Sequence, residues 1–535
     1  WEDLPCNWVR GRWIEHRRRF RRGPLAVLDA QVEIARHGTG CHVDYRLEMA
    51  FAGLSGQLLR LGGFLRRSMR MVARRVAEAE RFATGAAPVA FTVAPPRLPP
   101  EALARLAQLG PALAASPYVH GLGERLAAHV ATAAETDVVR MRPLALARGW
   151  GVPALHAIEA CLEGTRQGLL ELRWDLLCPR CRGAKVQAVS LDRLPEGAHC
   201  ATCNIAFDRD FSRNVELAFR PAAAIRPIED GLFCLLGPMS TPHILAHVTL
   251  EPGEVRELAV AAPPGPYRLR TLEAGPQADI EHAGGVLPGM VLGDEGAPGE
   301  GTVTATPEPV LANRSGARRT AVIEERSWAA DALTADRVAT LQAFRDLFAD
   351  QVLRPGDEVA IRRVTLLFSD LKGSTALYGA IGDAAAYHLV REHFAWLAAI
   401  IREHEGAIVK TIGDAVMAAF HDPRAGLRAA FAMQARVADF NASGDAAGER
   451  PIVLKLGLHE GPSIAVTMND RLDYFGGTVN LAARLQSQSR GGDVVVSGVL
   501  AATEGIAAIA HPLVGRAETA SLRGFAQPMD FVRFA

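Results

Sequence analysis

Apolar positions along this chain change period from two to about 3.6 and back, and each change marks a predicted element. Residues 8–20 and 25–34 alternate apolar and polar as strands. His37-Gly38-Thr39-Gly40 reads as a turn and 41–51 as another strand. Residues 54–82 take helical spacing, with Leu58, Leu59, Leu61, Phe64, Leu65, Met69 and Val72 on one broad stripe. Residues 101–134 are expected to be helical. Two short helical runs follow within 141–168, around Gly149-Trp150-Gly151-Val152-Pro153, and then a short strand at 169–172. From 205 to 325 the pattern is β-rich, with strands expected at 215–219, 232–236, 243–250, 265–272 and 301–306. Dense Gly and Pro from 288 to 301 read as an exposed loop. A helix is expected at 334–348.

The last third is the most informative. Residues 364–368 are a β-branched and apolar run, a buried strand, with Asp370 just past its end. Gly373-Ser374-Thr375 opens a helix running through His388 and Leu389 towards Trp396. Two apolar runs, 408–412 and 415–420, are separated only by Gly413-Asp414, which reads as a tight hairpin with Asp414 at the turn. A helix at 423–440 and a strand at 452–458 follow, then His459-Glu460-Gly461-Pro462. Gly476-Gly477 next precedes a helix starting near Thr478, with Asn480 and Arg484 four apart on one face. A strand end and a hairpin tip in one sheet bring two carboxylates together. Such a pair suits Mg²⁺, which takes one or two carboxylates plus substrate phosphates. Taken singly, the pieces have plain readings: a capping aspartate, a stock turn, a solvated helix face.

Together and in order, FSDLKGST, KTIGDA and LDYFGGTVNLAARL resemble the catalytic domain of class III nucleotidyl cyclases, over roughly the last third of the chain. The resemblance implies a ferredoxin-like domain. It would turn a nucleoside triphosphate into a 3′,5′-cyclic monophosphate and pyrophosphate, with two Mg²⁺ or Mn²⁺ ions per active site. It implies that Asp370 and Asp414 hold both ions, helped by the Leu371 carbonyl. Lys372, Gly373, Ser374 and Thr375 would cradle phosphate at a helix start. Asn480 would orient the ribose, and Arg484 would meet charge developing on the α-phosphate. Lys410 and Asp473 match the family's adenine-reading pair. Adenine offers an acceptor at N1 and a donor at its 6-amino group, which suits a lysine that only donates and a carboxylate that only accepts. ATP is thus the expected substrate. Because the family's site forms between two subunits, one such domain per chain implies a homodimer. One departure stands out: where relatives carry a phosphate-binding lysine near the C-terminus, this chain has Phe525, with Arg523 and Lys372 as candidate substitutes.

Cysteine spacing adds a second metal. Cys178-Pro179-Arg180-Cys181 and Cys200-Ala201-Thr202-Cys203 form a zinc-ribbon pattern. Four thiolates would close a tetrahedron around one structural Zn²⁺. His199 is surplus.

Composition sets the frame around these sites. A chain of 535 residues is expected to hold three or more domains. Net charge is zero with 22% charged residues, so no global bias towards nucleic acid or an acidic surface exists. Uncharged apolar stretches of about 18 residues or more are lacking. The nearest candidate, 54–71, is interrupted by Arg60, Arg66, Arg67 and Arg70. No secretory signal is seen. The four remaining cysteines, Cys6, Cys41, Cys161 and Cys234, are scattered, which fits a reducing cytoplasm. Ala, Arg and Gly usage suggests a bacterial source.

The expected organisation is multidomain α+β. Residues 1–85 resemble the C-terminal half of a START-like helix-grip domain, whose front half would be missing before Trp1. Such domains can hold a hydrophobic ligand between helix and sheet. Residues 86–177 are helical and winged-helix-like, 178–204 the zinc ribbon, and 205–330 a β-rich regulatory domain expected as a sandwich. Residues 331–356 are a linker helix and 357–535 the cyclase domain. The run Arg17-Arg18-Arg19 with Arg21-Arg22 is expected to be a solvated strand edge. Glu159 and Glu163 on the second winged-helix helix argue against nucleic acid. Two alternatives stay open: a non-catalytic nucleotide-sensing module on a cyclase fold, and a DNA-associated regulator.

Overall fold

The structure is a computed structural model that describes residues 2–3, 6–87, 96–200, 203, 205–228, 238, 241, 243–258, 260–273, 277–293, 302–326, 332–443, 451–511 and 513–535. Cys234, the expected strand at 232–236 and part of the 288–301 loop lie outside them.

An eight-stranded sheet forms the C-terminal part. Its central strand, Val359–Leu371, pairs antiparallel with Ala415–Phe420 on one side and Leu454–Met468 on the other. Gly406–Ile412 closes one edge against Ala415–Phe420. These four strands stand in the order second, third, first, fourth, which is the arrangement of a ferredoxin-like unit. Beyond Leu454–Met468 the sheet continues through Val494–Ser497, Met529–Phe534 and Gly515–Ala520, while Arg471–Phe475 pairs with the far end of Leu454–Met468. The strand expected at 452–458 is far longer, because the ladder runs on through His459, Glu460 and Gly461 opposite Leu366, Thr365 and Val364.

Strand alternation sorts the core onto two faces. Leu367, Leu371, Val416, Ala418 and Phe420 pack under the helices Asp383–Glu403 and Pro423–Ser443. Their neighbours Leu366, Phe368, Met417 and Ala419 face the other way. There they share one core with Leu126, Ile158, Trp174, Phe219 and Phe344 from upstream. The expected helix running to Trp396 is interrupted at Gly382, whose φ of 81° ends Ser374–Ile381 before Asp383–Glu403 begins.

Upstream, helices Pro143–Trp150 and Ala154–Arg166 turn through Gly151 at φ 67° and lead into Leu170–Leu177. That strand pairs with Val215–Pro221 and Ala184–Ala188. The second helix is buried continuously over 157–164, with Glu163 bonded to Arg166 and Gln167. Residues 157–164 are therefore not free to enter a duplex groove. The single helix expected over 101–134 is two, Pro100–Ala115 and Gly123–Thr132, separated by a segment holding Pro117 and Gly121. The expected linker helix is also two short helices, Ala335–Ala339 and Gln342–Leu347.

The front strands differ most from expectation. Asn7–Val9, Trp13–Arg19, Leu25–His37 and Gly40–Phe51 do not make a sheet of their own. Asn7–Val9 pairs with Ile244–Leu250, which merges them with Arg319–Glu325 and Gly265–Thr271 into one nine-stranded sheet. A four-stranded sheet built on Gly289–Gly293 and Val310–Asn313 shares its core through Met290, Leu292 and Leu311. The helix expected over 54–82 breaks at Gly62-Gly63 into Gly53–Leu61 and Phe64–Ala83. Its apolar stripe is only partly covered: Leu58 is 71% exposed and Leu61 82%, while Leu59, Phe64, Leu65 and Val72 are half-buried.

One close approach sets the position of the helix Gly477–Gln488. Gly457 lies in the strand beneath it, and a Cβ at that point would stand 2.1 Å from the Gln486 backbone nitrogen. Gly457→Ala is expected to cost about 1–3 kcal/mol of stability by overpacking. Denaturant unfolding checks this, and an unchanged midpoint would mean the helix lifts freely.

Candidate active site and metal centre

The ladder places Asp370 opposite Lys455, one residue before the central strand ends at Leu371. Asp414 sits at the tip of the adjoining hairpin, next to Gly413 at φ 63°. Both carboxylates are half-buried. Burial, then the charge of Asp414, raises the Asp370 carboxyl above its ordinary range, while a bond from Gln486 Nε2 at 3.2 Å opposes the shift. Asp414 Oδ2 is buried and has no hydrogen-bond partner among the described residues. Two carboxylates that repel each other, one with an orphaned oxygen, fit a divalent cation.

Two aromatic groups near this pair were not singled out in the sequence. The Tyr378 phenol is pushed up to about 12, first by burial and then by Asp414 and Asp370. The His393 imidazole is lowered to about 4 by burial, against the opposing charge of Asp414. Nothing in the local pattern marks them, since both sit at ordinary helical positions.

Gly373 adopts φ 71° and caps the helix Ser374–Ile381. The Lys372 amide is already committed to the Val453 carbonyl at 2.9 Å. Of the expected cradle, the Lys372 amide is thus already bonded, while the Lys372 side chain is exposed.

Lys410 and Asp473, 63 residues apart, meet directly. Lys410 Nζ lies 2.7 Å from Asp473 Oδ2, and the Tyr474 amide donates to Asp473 Oδ1 at 2.7 Å. Asn480 and Arg484 occupy the outer face of Gly477–Gln488, both exposed, while Thr478, Leu481, Ala482 and Leu485 anchor the inner face. Within the single chain, no hydrogen bond or ion pair among the described residues joins Asn480 or Arg484 to the acid pair. Phe525 packs against Leu481, Leu485, Leu522 and Phe531, so that position is filled by an apolar contact.

The four cysteine sulfurs of Cys178, Cys181, Cys200 and Cys203 are buried and lie within 4.8 Å of one another. Cys181 Sγ and Cys200 Sγ are 3.8 Å apart. Two thiolates each about 2.3 Å from a tetrahedral zinc would stand at about that spacing. At Lys185, burial favours the neutral amine, but the neighbouring Cys181 and Cys200 sulfurs outweigh it and keep the ammonium favoured. The donor set fits Zn²⁺.

Residues 358–505 match the family model for the adenylate and guanylate cyclase catalytic domain. Residues 114–231 match a family of unknown function, DUF5939. Adenylate cyclase 1 of Rhizobium meliloti (strain 1021) is 28% identical over 154 residues, covering 26% of this chain and 23% of that protein. The adenylate cyclase of Anabaena cylindrica is 31% identical over 139 residues, covering 24% of this chain and 28% of that protein. Retinal guanylyl cyclase 2 of Bos taurus is 35% identical over 134 residues, 23% of this chain and 12% of that protein. The chain thus spans less than a third of the length of these relatives. Among solved structures, the adenylyl cyclase CyaB from P. aeruginosa aligns at 23% identity and a TM-score of 0.30, over 34% of this chain and 96% of that one. The C-terminal part of the chain is a class III adenylate/guanylate cyclase catalytic domain. Such domains use Mg²⁺ or Mn²⁺.

Two outcomes follow for the metals. Purified protein is expected to carry zinc at one ion per chain by elemental analysis. Cys200→Ser should lose it and melt lower; unchanged zinc content would refute the four-thiolate site. At the acid pair, folding raises the Asp370 pKa. Its contribution to stability is therefore present below the ordinary carboxyl range and lost as pH rises through the raised value. Asp370→Asn should raise the melting temperature of the metal-free chain at neutral pH and abolish any rise on adding Mg²⁺. A lower melting temperature would mean the pair is not repulsive.

Proposed function

We propose that the chain is an adenylate cyclase that converts ATP to 3′,5′-cyclic AMP and pyrophosphate, acting as a cytoplasmic homodimer regulated by its upstream region. The observation that carries this is the acid pair: a buried, unpartnered Asp414 oxygen beside an Asp370 carboxyl pushed up first by burial and then by the Asp414 charge. No helix among the described residues is long and apolar enough to cross a membrane.

Asp370 and Asp414 are the residues that would hold two Mg²⁺ or Mn²⁺ ions, with the Leu371 carbonyl. When bound, such ions activate the ribose 3′-hydroxyl and neutralise charge on the leaving pyrophosphate. The Gly373, Ser374 and Thr375 amides and the Lys372 ammonium hold the phosphates. Lys410 donates to adenine N1 and Asp473 accepts from the 6-amino group. Asn480 orients the ribose, and Arg484 meets the negative charge that develops on the α-phosphate as the 3′-oxygen attacks. The exposed placement of Asn480 and Arg484, with no hydrogen bond or ion pair to the acid pair of their own chain among the described residues, supports a site shared between two copies. The contact between Lys410 and Asp473 supports ATP over GTP, since guanine presents the reverse donor and acceptor order.

Product analysis with ATP or GTP and Mg²⁺ or Mn²⁺ tests the reading. Cyclic AMP is expected from the wild type, with Asp370→Ala at least about a hundredfold slower. No cyclic product from any combination, or an undiminished Asp370→Ala, would overturn it. Lys410→Glu combined with Asp473→Ala is expected to move preference from ATP towards GTP; unchanged ATP use would remove the base-reading assignment.

A further inference from the structure

The linker that joins the upstream region to the cyclase sheet touches the proposed base-reading pair from behind. Arg345, on Gln342–Leu347, donates from Nη1 to the Leu472 carbonyl at 2.9 Å. Its guanidinium also stands 5.6 Å from the centroid of the buried Tyr474 ring. Leu472 and Tyr474 are the two neighbours of Asp473, so one side chain holds both flanks of that carboxylate. Arg345 Nε is itself fixed on the Ala339 carbonyl at 2.8 Å.

One turn earlier on the same helix, Gln342 Oε1 accepts from the Ile408 amide at 2.8 Å. Ile408 lies on the edge strand Gly406–Ile412, where the register shifts between Ile408 and Lys410. A bulge re-aims the side chain that follows it, and here that side chain is Lys410. Gln342 thus holds an amide of the sheet's edge strand at the point where the bulge is set.

The helix carrying both residues is pinned upstream. Phe344, between them, is buried and meets the Trp174 ring edge-on at 6.0 Å. Asp346 accepts from the Tyr118 hydroxyl at 2.8 Å and from Arg402 Nη2 at 3.4 Å. Trp174 and Tyr118 belong to the segment that matches the family of unknown function.

We propose that Arg345 and Gln342 are positioning residues for base selection, which set the placement of Asp473 and Lys410 and tie it to the upstream region. This rests on the adenylate cyclase reading above and deepens it. Neither residue touches substrate, so the effect is expected in base discrimination and KM rather than in the chemical step.

The test uses the full chain with Arg345→Met, Arg345→Lys and Gln342→Leu. KM and kcat are measured for ATP and GTP, and equilibrium binding for non-cyclising analogues of both. Thermal melts run alongside. Arg345→Met is expected to raise KM for ATP roughly tenfold and to narrow the ATP-to-GTP ratio by a similar factor, with kcat at saturation within about twofold of wild type. Arg345→Lys should recover part of the ratio. If Arg345→Met does not fold, Gln342→Leu carries the test from the Lys410 side, with the same split between KM and kcat. A wild type that prefers ATP while folded Arg345→Met and Gln342→Leu keep its ratio would overturn this inference alone. A wild type that makes no cyclic product and binds neither analogue would overturn the adenylate cyclase reading, and this inference with it.

Discussion

The antiparallel register of Val359–Leu371 against Leu454–Met468 is the constraint on which the rest of the site depends. Side chains alternate faces along a strand, so a slip of one residue would send Leu366 and Phe368 to the face now held by Leu367 and Leu371. Both faces are committed to different partners, which makes that slip costly on each side at once. The register also decides which strand end carries Asp370, and it places Gly457 under Gln486, where only a hydrogen would fit. Gln486 in turn reaches the Asp370 carboxylate. Backbone pairing, helix approach and acid placement are thus one geometric statement.

The four-cysteine cluster works as a joint by a similar logic. Arg180, inside the first knuckle, donates to the Thr271 carbonyl at 2.6 Å and to the Glu273 carbonyl. Beside it the buried Arg270 pairs with Glu324 at 2.9 Å. Four sulfurs fix the knuckle, and the knuckle holds the arginine against the nine-stranded sheet. Loss of the thiolate cage would release a charged side chain whose partners are partly buried carbonyls, which is costly because those acceptors would then lack a donor.

Local chemistry was legible in the sequence, and long-range partnership was not. The spacing of the four cysteines announced a cluster that the structure closes. The Lys410 and Asp473 pair was legible only through the motifs that resemble the cyclase family, and the two side chains do meet. By contrast, nothing in residues 7–51 says that Asn7–Val9 will pair with a strand more than two hundred positions later, since strand partners are chosen by edges and burial rather than by local pattern. Glycine breaks at Gly62-Gly63 and Gly382 were hidden inside helical periodicity, which survives a single left-handed residue. Arg345 and Gln342 carry no motif at all. Their importance comes from the backbone groups they reach, and a sequence does not display which carbonyl an arginine will find.

The ion pair between Lys410 and Asp473 also bears on how discrimination would work under the proposed reading. In the free chain each satisfies the other at 2.7 Å, and Asp473 is buried while Lys410 is about one third exposed. A base that enters must replace that contact with equivalent ones. Adenine does so on both sides, with N1 accepting from the ammonium and the 6-amino group donating to the carboxylate. Guanine would set its N1 donor against the ammonium and its carbonyl against the carboxylate. That leaves a buried carboxylate with a repelled partner, and an unsatisfied buried polar group costs more than a good contact contributes. Selection would thus come mainly from the penalty imposed on the wrong base. That penalty operates only while Asp473 cannot turn away from the mismatch. The Tyr474 amide on Oδ1 and the Arg345 clamp on the flanking residues remove that freedom.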